Sequence, residues 1–243
     1  MRLTFAQEEI LGGSQLFAGI APAAYRTLLE SLQARLIRAK PGEALLLAGE
    51  APRFIGMVFS GHAHIYRESM MGDPALIATL SKGELFAETL CLAGLAFSPM
   101  TVVAHGPCEY LRLPASAFFP GGLGIAAEAA PGKPPPVPVS SYQAQLRANL
   151  LRILAQKNLY LQSRMEILSA KGIREKVLRL LQPYAKDGAS FTLPLNREQM
   201  AAYLCVDRSA LSHELARMQA EGLISYQKNR FTLPAGSMGK EKR

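Results

Sequence analysis

Between Ala34 and Leu113 the apolar residues come in short β-prone runs: Ala44–Leu47, Gly56–Phe59, Ala63–Tyr66, Leu76–Leu80, Thr101–Ala104 and Tyr110–Leu113. Turn signals stand between them at Pro41-Gly42, Ser60-Gly61, Gly72-Asp73-Pro74, Lys82-Gly83 and Gly106-Pro107. Many short strands with regular punctuation predict a small barrel or a double-sheet roll. Ahead of them, Leu16 to Leu32 predicts a short amphipathic helix with Pro22 near its start.

The period then changes from two to about 3.5. From Tyr142 to about Ala170 the sequence predicts one long helix, in which positions 151, 154, 158, 161, 165 and 168 are Leu, Leu, Asn, Leu, Met and Leu. That 3-4 spacing is a heptad seam, with Asn158 at an a position, where one polar residue costs stability but fixes register and the dimeric state. Leu151, Leu154, Asn158, Leu161, Met165 and Leu168 are therefore the candidate dimer interface. Lys171-Gly172 breaks the helix, and Ile173 to Tyr184 starts a further helical segment. Between the strands and the long helix, residues 119–141 are rich in Pro, Gly and Ala and include Pro134-Pro135-Pro136. Such a stretch suits neither a helix nor a central strand and reads as an excursion or linker.

Asn196 to Met218 carries two helix starts eleven residues apart. Asn196 with Gln199 is a capping-box pattern, and Asp207 is a second N-cap. Met200, Ala201 and Leu204 mark the inner face of the first helix, and Leu211, Leu215 and Met218 that of the second. With only Cys205 and Val206 between them the helices must meet at a sharp angle, as in a helix-turn-helix. Arg208, Ser209, Ser212 and His213 share the face opposite the apolar one, in the first turn and a half, where a recognition helix meets base edges. Leu223–Tyr226 and Arg230–Leu233 follow as two β-prone runs and form a wing with Lys228 and Arg230. Arg197, Lys228 and Arg230 are the candidate phosphate contacts, and Arg217 joins the DNA-binding set.

Charge sharpens this picture. The formal net charge is +8 over 243 residues. Residues 170–243 hold 13 Lys+Arg against 7 Asp+Glu, and residues 1–169 hold 14 against 12. The excess accompanies the helix-turn-helix, as phosphate binding requires. No apolar run approaches the ~20 residues of a membrane span. Met1 to Phe17 lacks a signal-peptide pattern, so a cytoplasmic location is expected. Three scattered cysteines, Cys91, Cys108 and Cys205, read as reduced, buried small hydrophobes.

Three sets of residues resemble the CRP/FNR family of bacterial transcription regulators: Asn196-Arg197-Glu198-Gln199, Val206-Asp207-Arg208-Ser209-Ala210-Leu211-Ser212 and Glu221-Gly222-Leu223-Ile224. In the strand-rich part, Pro41-Gly42-Glu43, Ser60-Gly61 and Gly83-Glu84-Leu85-Phe86-Ala87-Glu88 fall where that family has turns. The resemblance implies an α+β protein: an N-terminal jelly-roll-like β-roll, a long dimerisation helix and a C-terminal winged helix-turn-helix. The expected domains are 1–141, 142–170 and 171–243. It further implies a homodimer on a palindromic double-stranded DNA operator, contact with RNA polymerase, and a small-molecule effector. The family commonly has Gly at the turn position held by Cys205, so Cys205 is expected to accept a glycine-like backbone.

Nucleotide-binding members of the family carry a Glu for the ribose and, about ten residues on, an Arg for the cyclic phosphate. Glu88 matches the first. The Arg position falls near Ser98-Pro99, and no Arg or Lys occurs between Gly83 and Arg112. Without that cation a buried phosphate would go unpaired, so an effector other than cyclic AMP is expected. Glu88, Phe97, Ser98 and Tyr160 are the candidate contacts, and the alternative is a pocket filled by side chains. No cofactor is identified. Two rivals stay open. His62, His64 and Glu68 resemble a first cupin motif and would suit a divalent metal. His62, His64 and His105 could alternatively serve a haem- or redox-sensing regulator of the same fold. No nucleophile–base or phosphate-loop constellation occurs, so no enzyme activity is expected.

Overall fold

A computed structural model describes residues 3–68, 73–118, 141–185 and 188–234. The expected excursion at 119–141 lies outside the described residues except for Ser141. Contacts divide the chain into two compact units, Met1–Ala155 and Gln156–Arg243.

The first unit opens with α1 (Phe5–Gly13), which the sequence reading missed, and α2 (Pro22–Ser31). Thr4 and Gln7 close a capping box on α1. Strands β1 (Arg35–Ala39), β2 (Ala44–Leu46), β3 (Phe54–Glu68), β4 (Pro74–Leu80), β5 (Leu85–Phe86) and β6 (Thr101–Pro114) follow, with α3 (Glu88–Leu92) and α4 (Ala115–Phe118) beside β5 and β6.

Two expected turns are not turns. Ser60-Gly61 and Gly106-Pro107 lie inside the single long strands β3 and β6. Their pairing register shifts between Val58 and Ser60 and again between Ser60 and His62. Gly61 has φ 74° and Gly106 φ 90°, so each supplies the left-handed residue of a bulge rather than a chain reversal. A Cβ on Gly61 would stand 2.2 Å from the Pro107 carbonyl oxygen, so the strands touch at the bulges. Beyond the bulge, β3 residues 62–66 pair with the start of β6, while β2 and β4 flank them. Before it, β3 residues 54–60 pair with the end of β6, flanked by β1 and β5. Two strands thus serve both halves of the roll, and the bulges make the bend.

The core of this unit runs through Phe17, Tyr25, Leu29, Ile55, Met57, Phe59, Phe86, Val102, Leu111 and Leu113. The long helix α5 (Ser141–Leu168) adds Leu146, Leu150 and Ile153 to it. Its Asn149 is buried and fully bonded. The amide nitrogen donates to the carbonyls of Leu16 (2.9 Å) and Ala18 (2.8 Å), while the amide oxygen accepts from Gln145 and Arg152. A buried amide with every group satisfied fixes one arrangement.

The second unit contains α6 (Ile173–Leu181), β7 (Phe191–Thr192), α7 (Arg197–Leu204), α8 (Arg208–Ala220), β8 (Ser225–Gln227) and β9 (Arg230–Thr232). The wing is a three-stranded sheet in the order β7-β9-β8, one strand more than the sequence reading found. Ile167 of α5 is buried in the core of this unit with Val177, Leu181, Leu204, Leu211, Leu215 and Phe231.

Gly56 sits in β3 between the buried Ile55 and Met57, and a Cβ there would lie 2.0 Å from the Phe86 ring. Gly56→Ala should destabilise the roll by about 1–3 kcal/mol, the usual range for overpacking. Urea unfolding measures this, and an unchanged midpoint would show that Phe86 yields without cost.

Candidate nucleic-acid interface

The helix-turn-helix follows from local rules that the structure satisfies. Asn196 accepts from the Gln199 amide at 2.9 Å and Gln199 returns a bond to the Asn196 amide at 2.9 Å. Both orphan donors at the start of α7 are thereby met. Asp207 caps α8: its Oδ1 accepts from the amides of Ser209 (2.8 Å) and Ala210 (2.9 Å) and from the Ser209 hydroxyl (2.5 Å). The Ser209 hydroxyl, followed by these amides, holds the Asp207 carboxyl below its usual range. Between the helices Cys205 has φ 51°, ψ 53°, the left-handed conformation expected from its glycine-like place. Its side chain is exposed, not buried as expected, because the turn directs it outward; Cys91 and Cys108 are buried.

Arg208, Ser209, Ser212 and His213 are all exposed on α8. With Asp207 and Ala216 they line one open concavity of about 590 Å³. Arg208 and His213 carry no ion pair among the described residues. The other basic residues are less alike than the sequence suggests. Arg197 is half-buried, its guanidinium 5.0 Å from the centre of the Tyr226 ring and 3.5 Å from the Lys228 carbonyl oxygen. Burial lowers its pKa, and its place ties α7 to the wing. Arg217 pairs with Glu221 at 3.0 Å. Lys228, at the wing tip, has φ 57°, and Arg230 is exposed at the start of β9.

Arg174 is the residue that sequence reading missed. From α6 its Nε reaches Glu214 at 2.7 Å and its two Nη atoms reach Glu221 at 2.7 and 2.9 Å. One planar fork thus pins both the middle and the end of α8. Nothing local in the sequence signals this, since the partners are 40 and 47 residues away. Arg164 of α5 lies 4.8 Å over the Tyr203 ring on α7. Tyr160 is near as well: burial first, then Tyr160, raises the Tyr203 pKa. Arg179 of α6 donates to the Glu166 carbonyl near the end of α5 at 2.6 Å.

The candidate effector contacts differ in burial and in the bonds they already make. Glu88 is buried at the start of α3, with its carboxylate accepting from Thr89. Phe97 is 68% exposed. Ser98 is buried but its hydroxyl is engaged by the Met100 backbone at 2.6 and 3.2 Å. Tyr160 belongs to the other unit, beside Tyr203. A cavity of about 280 Å³ in the roll is lined instead by Ala48, Tyr66, Glu68, Pro74 and Thr101. Of the metal candidates, His64 stacks on His105 with ring centres 4.1 Å apart and bonds Tyr66 at 3.1 Å. Among the described residues no three His, Cys, Asp or Glu side chains gather as a metal site.

On the seam of α5, Leu151 is 60%, Leu161 56% and Met165 70% exposed. Asn158 is exposed too, and Leu154 and Leu168 are half-buried. No helix among the described residues is long and apolar enough to cross a membrane.

A non-glycine residue in the left-handed region costs roughly 1–2 kcal/mol. Cys205→Gly should therefore stabilise the second unit by about 1 kcal/mol, and the β-branched Cys205→Val should destabilise it; thermal unfolding of the pair reads both signs. The Asp207 cap adds a pH dependence. Its folded pKa is depressed, so its contribution is present above the unfolded carboxyl value and is lost as pH falls through the folded one. Asp207→Asn, which caps without titrating, should flatten that acid limb in a pH series of midpoints.

Two family models match the chain: the cyclic nucleotide-binding domain at residues 36–120 and the Crp-like helix-turn-helix domain at residues 175–235. Together they cover more than half of it. The cyclic AMP receptor protein of Thermus thermophilus is 24% identical over 212 residues, which are 87% of this chain and 88% of that protein. The crystal structure of Thermus thermophilus catabolite activator protein aligns with a TM-score of 0.50 at 22% identity, over 90% of this chain and 93% of that one. DNR from Pseudomonas aeruginosa aligns at 0.47 and 19%, over 97% of each chain. With its β-roll, long helix and capped helix-turn-helix, the chain belongs to the CRP/FNR family of DNA-binding transcription regulators.

Proposed function

We propose that this regulator acts as a homodimer on a two-fold DNA site, under control of an effector other than cyclic AMP. The observation that carries the reading is the free face of α8, where Arg208, Ser209, Ser212 and His213 stand together at a capped helix start. Arg208 has the geometry to pair with guanine O6 and N7. Lys228 and Arg230 on the wing serve as phosphate contacts. Arg197 acts mainly by holding the wing, given its ring contact and partial burial. Arg217, paired with Glu221, is assigned to the DNA backbone rather than to bases.

Dimerisation is supported by α5. Large apolar side chains on one stripe are left in solvent by a single chain, and the heptad spacing suits a parallel partner. In this reading 1–141 senses, 142–170 joins two chains and 171–243 binds DNA. The half-sites then lie one helical turn apart, about 34–36 Å.

The effector reading rests on charge. The segment from Gly83 to Arg112 has no Lys or Arg, so a cyclic phosphate would lack its counter-ion there. Calorimetry should find no micromolar binding of cyclic AMP; a micromolar Kd would overturn this part alone.

Charged substitutions at Leu154 and Leu161 should give monomers by light scattering, and a dimer that survives both would move the interface elsewhere. Selection on random DNA should enrich a two-fold motif with wild type. Arg208→Ala should lose about 1–3 kcal/mol and relax one base pair per half-site. Lys228→Ala should instead weaken all sequences alike and lower the salt slope by about one unit. A motif unchanged by Arg208→Ala would reject this face of α8.

A further inference from the structure

The two serines on the recognition face differ from a freely rotating hydroxyl. A serine hydroxyl has one proton to give and two lone pairs to accept with. The Ser209 proton is already spent on Asp207 Oδ1, at 2.5 Å. That oxygen is a carboxylate held ionised by its place at the helix start, where it also accepts two backbone amides. A charge-assisted bond of this length is roughly twice as strong as a neutral one. To donate to a base, Ser209 would have to exchange it for a neutral bond. Ser212 also donates internally, to the Arg208 carbonyl at 2.9 Å, but to a neutral acceptor, so its proton is more easily released.

We propose that Ser209 reads DNA as a hydrogen-bond acceptor, and so selects a base that offers an exocyclic amino group in the major groove. Only adenine (N6) and cytosine (N4) do so there. Guanine O6 and N7 or thymine O4 at the same point would face lone pairs with lone pairs. The Asp207 carboxylate is then more than a helix cap: it orients the Ser209 hydroxyl and sets the sign of the contact, as a positioning residue. This rests on the proposed binding of DNA through α8 and names the chemistry that one position of that face recognises.

The test uses the full-length protein and duplexes carrying its selected motif. Ser209→Ala first identifies the base pair whose discrimination it removes. At that pair the amino-bearing base is replaced by its analogue without the amino group, nebularine for adenine or 2-pyrimidinone for cytosine. Wild-type affinity should fall about five- to tenfold, as for one lost hydrogen bond, and Ser209→Ala should not respond. A 7-deazapurine at the same pair, which lacks the N7 acceptor, should leave wild type unaffected. Asp207→Ser keeps a capping hydroxyl but frees the Ser209 proton, so the 7-deaza substitution should now cost affinity. The proposal is overturned if wild type responds to loss of N7 and not of the amino group, or if Ser209→Ala alters no position. Failure of the wild type to select any two-fold motif would instead remove the DNA reading beneath it.

Discussion

A helix of 28 residues with apolar groups on more than one face leaves some of them uncovered within one chain, and α5 is that helix. One face is used up internally. Leu146, Leu150 and Ile153 belong to the core of the first unit, and Ile167 to that of the second. The stripe through Leu151, Leu161 and Met165 lies on another face and stays in solvent. Burying one such side chain is worth roughly 1.5–3 kcal/mol, so a stripe of them is a strong demand for a partner. If the partner is a second copy, two-fold symmetry passes to the recognition helices, and a palindromic site follows from geometry alone.

What α5 does to the recognition helix depends on how firmly its last turns are held. Lys171-Gly172 does end the helical run, and Gly172 is extended at the start of α6. Yet three independent contacts cross that break within the second unit: Arg164 over Tyr203, Ile167 in the core, and Arg179 on the Glu166 carbonyl. The end of α5 is thus built into the DNA-binding unit, and the division between the two units falls further back, at Ala155–Gln156. The Arg174 fork continues the chain of constraint from α6 to α8 through Glu214 and Glu221. None of these groups is on the free face of α8. The residues that clamp α8 to α6 are thus distinct from Arg208, Ser209, Ser212 and His213, so in the proposed reading most of the reading face can change without loosening that clamp.

The sequence made the helix-turn-helix legible in detail, because its determinants are local. The Asn196–Gln199 box and the Asp207 cap appear where the residue types require them, and the left-handed Cys205 stands where the resemblance places a family glycine. The roll was legible as a class but not in its strand count. Gly61 and Gly106 look like turn residues, and a left-handed glycine serves a turn or a bulge equally well; only pairing between β3 and β6 decides. β1 was missed because Arg35 and Arg38 break its apolar pattern, and α3 because five residues give no period to detect. The candidate effector residues follow from matching the chain to the family's nucleotide-binding positions. That criterion cannot foresee that the Ser98 hydroxyl is committed to its own loop, or that Tyr160 lies beside Tyr203.

The segment from Gly83 to Cys91, which carries the Glu that matches the family's ribose contact, is fastened at both ends. Gly83 donates to the Val58 carbonyl at 2.8 Å, and Val58 donates to the Glu84 carbonyl at 3.0 Å, fastening the entry of the segment to β3. At its far end the Cys91 thiol points to the carbonyls of Pro52 (2.9 Å) and Phe54 (3.1 Å). Burial pushes its pKa up to about 11, so it stays protonated and can donate. Between them Ala87 takes φ 63°, an unusual conformation for alanine that the buried Phe86, Glu88 and Leu90 on either side hold in place. Backbone bonds, the Cys91 thiol and apolar burial together hold this loop and helix. In the proposed reading, in which the effector is not cyclic AMP, these bonds are what fix the loop and helix.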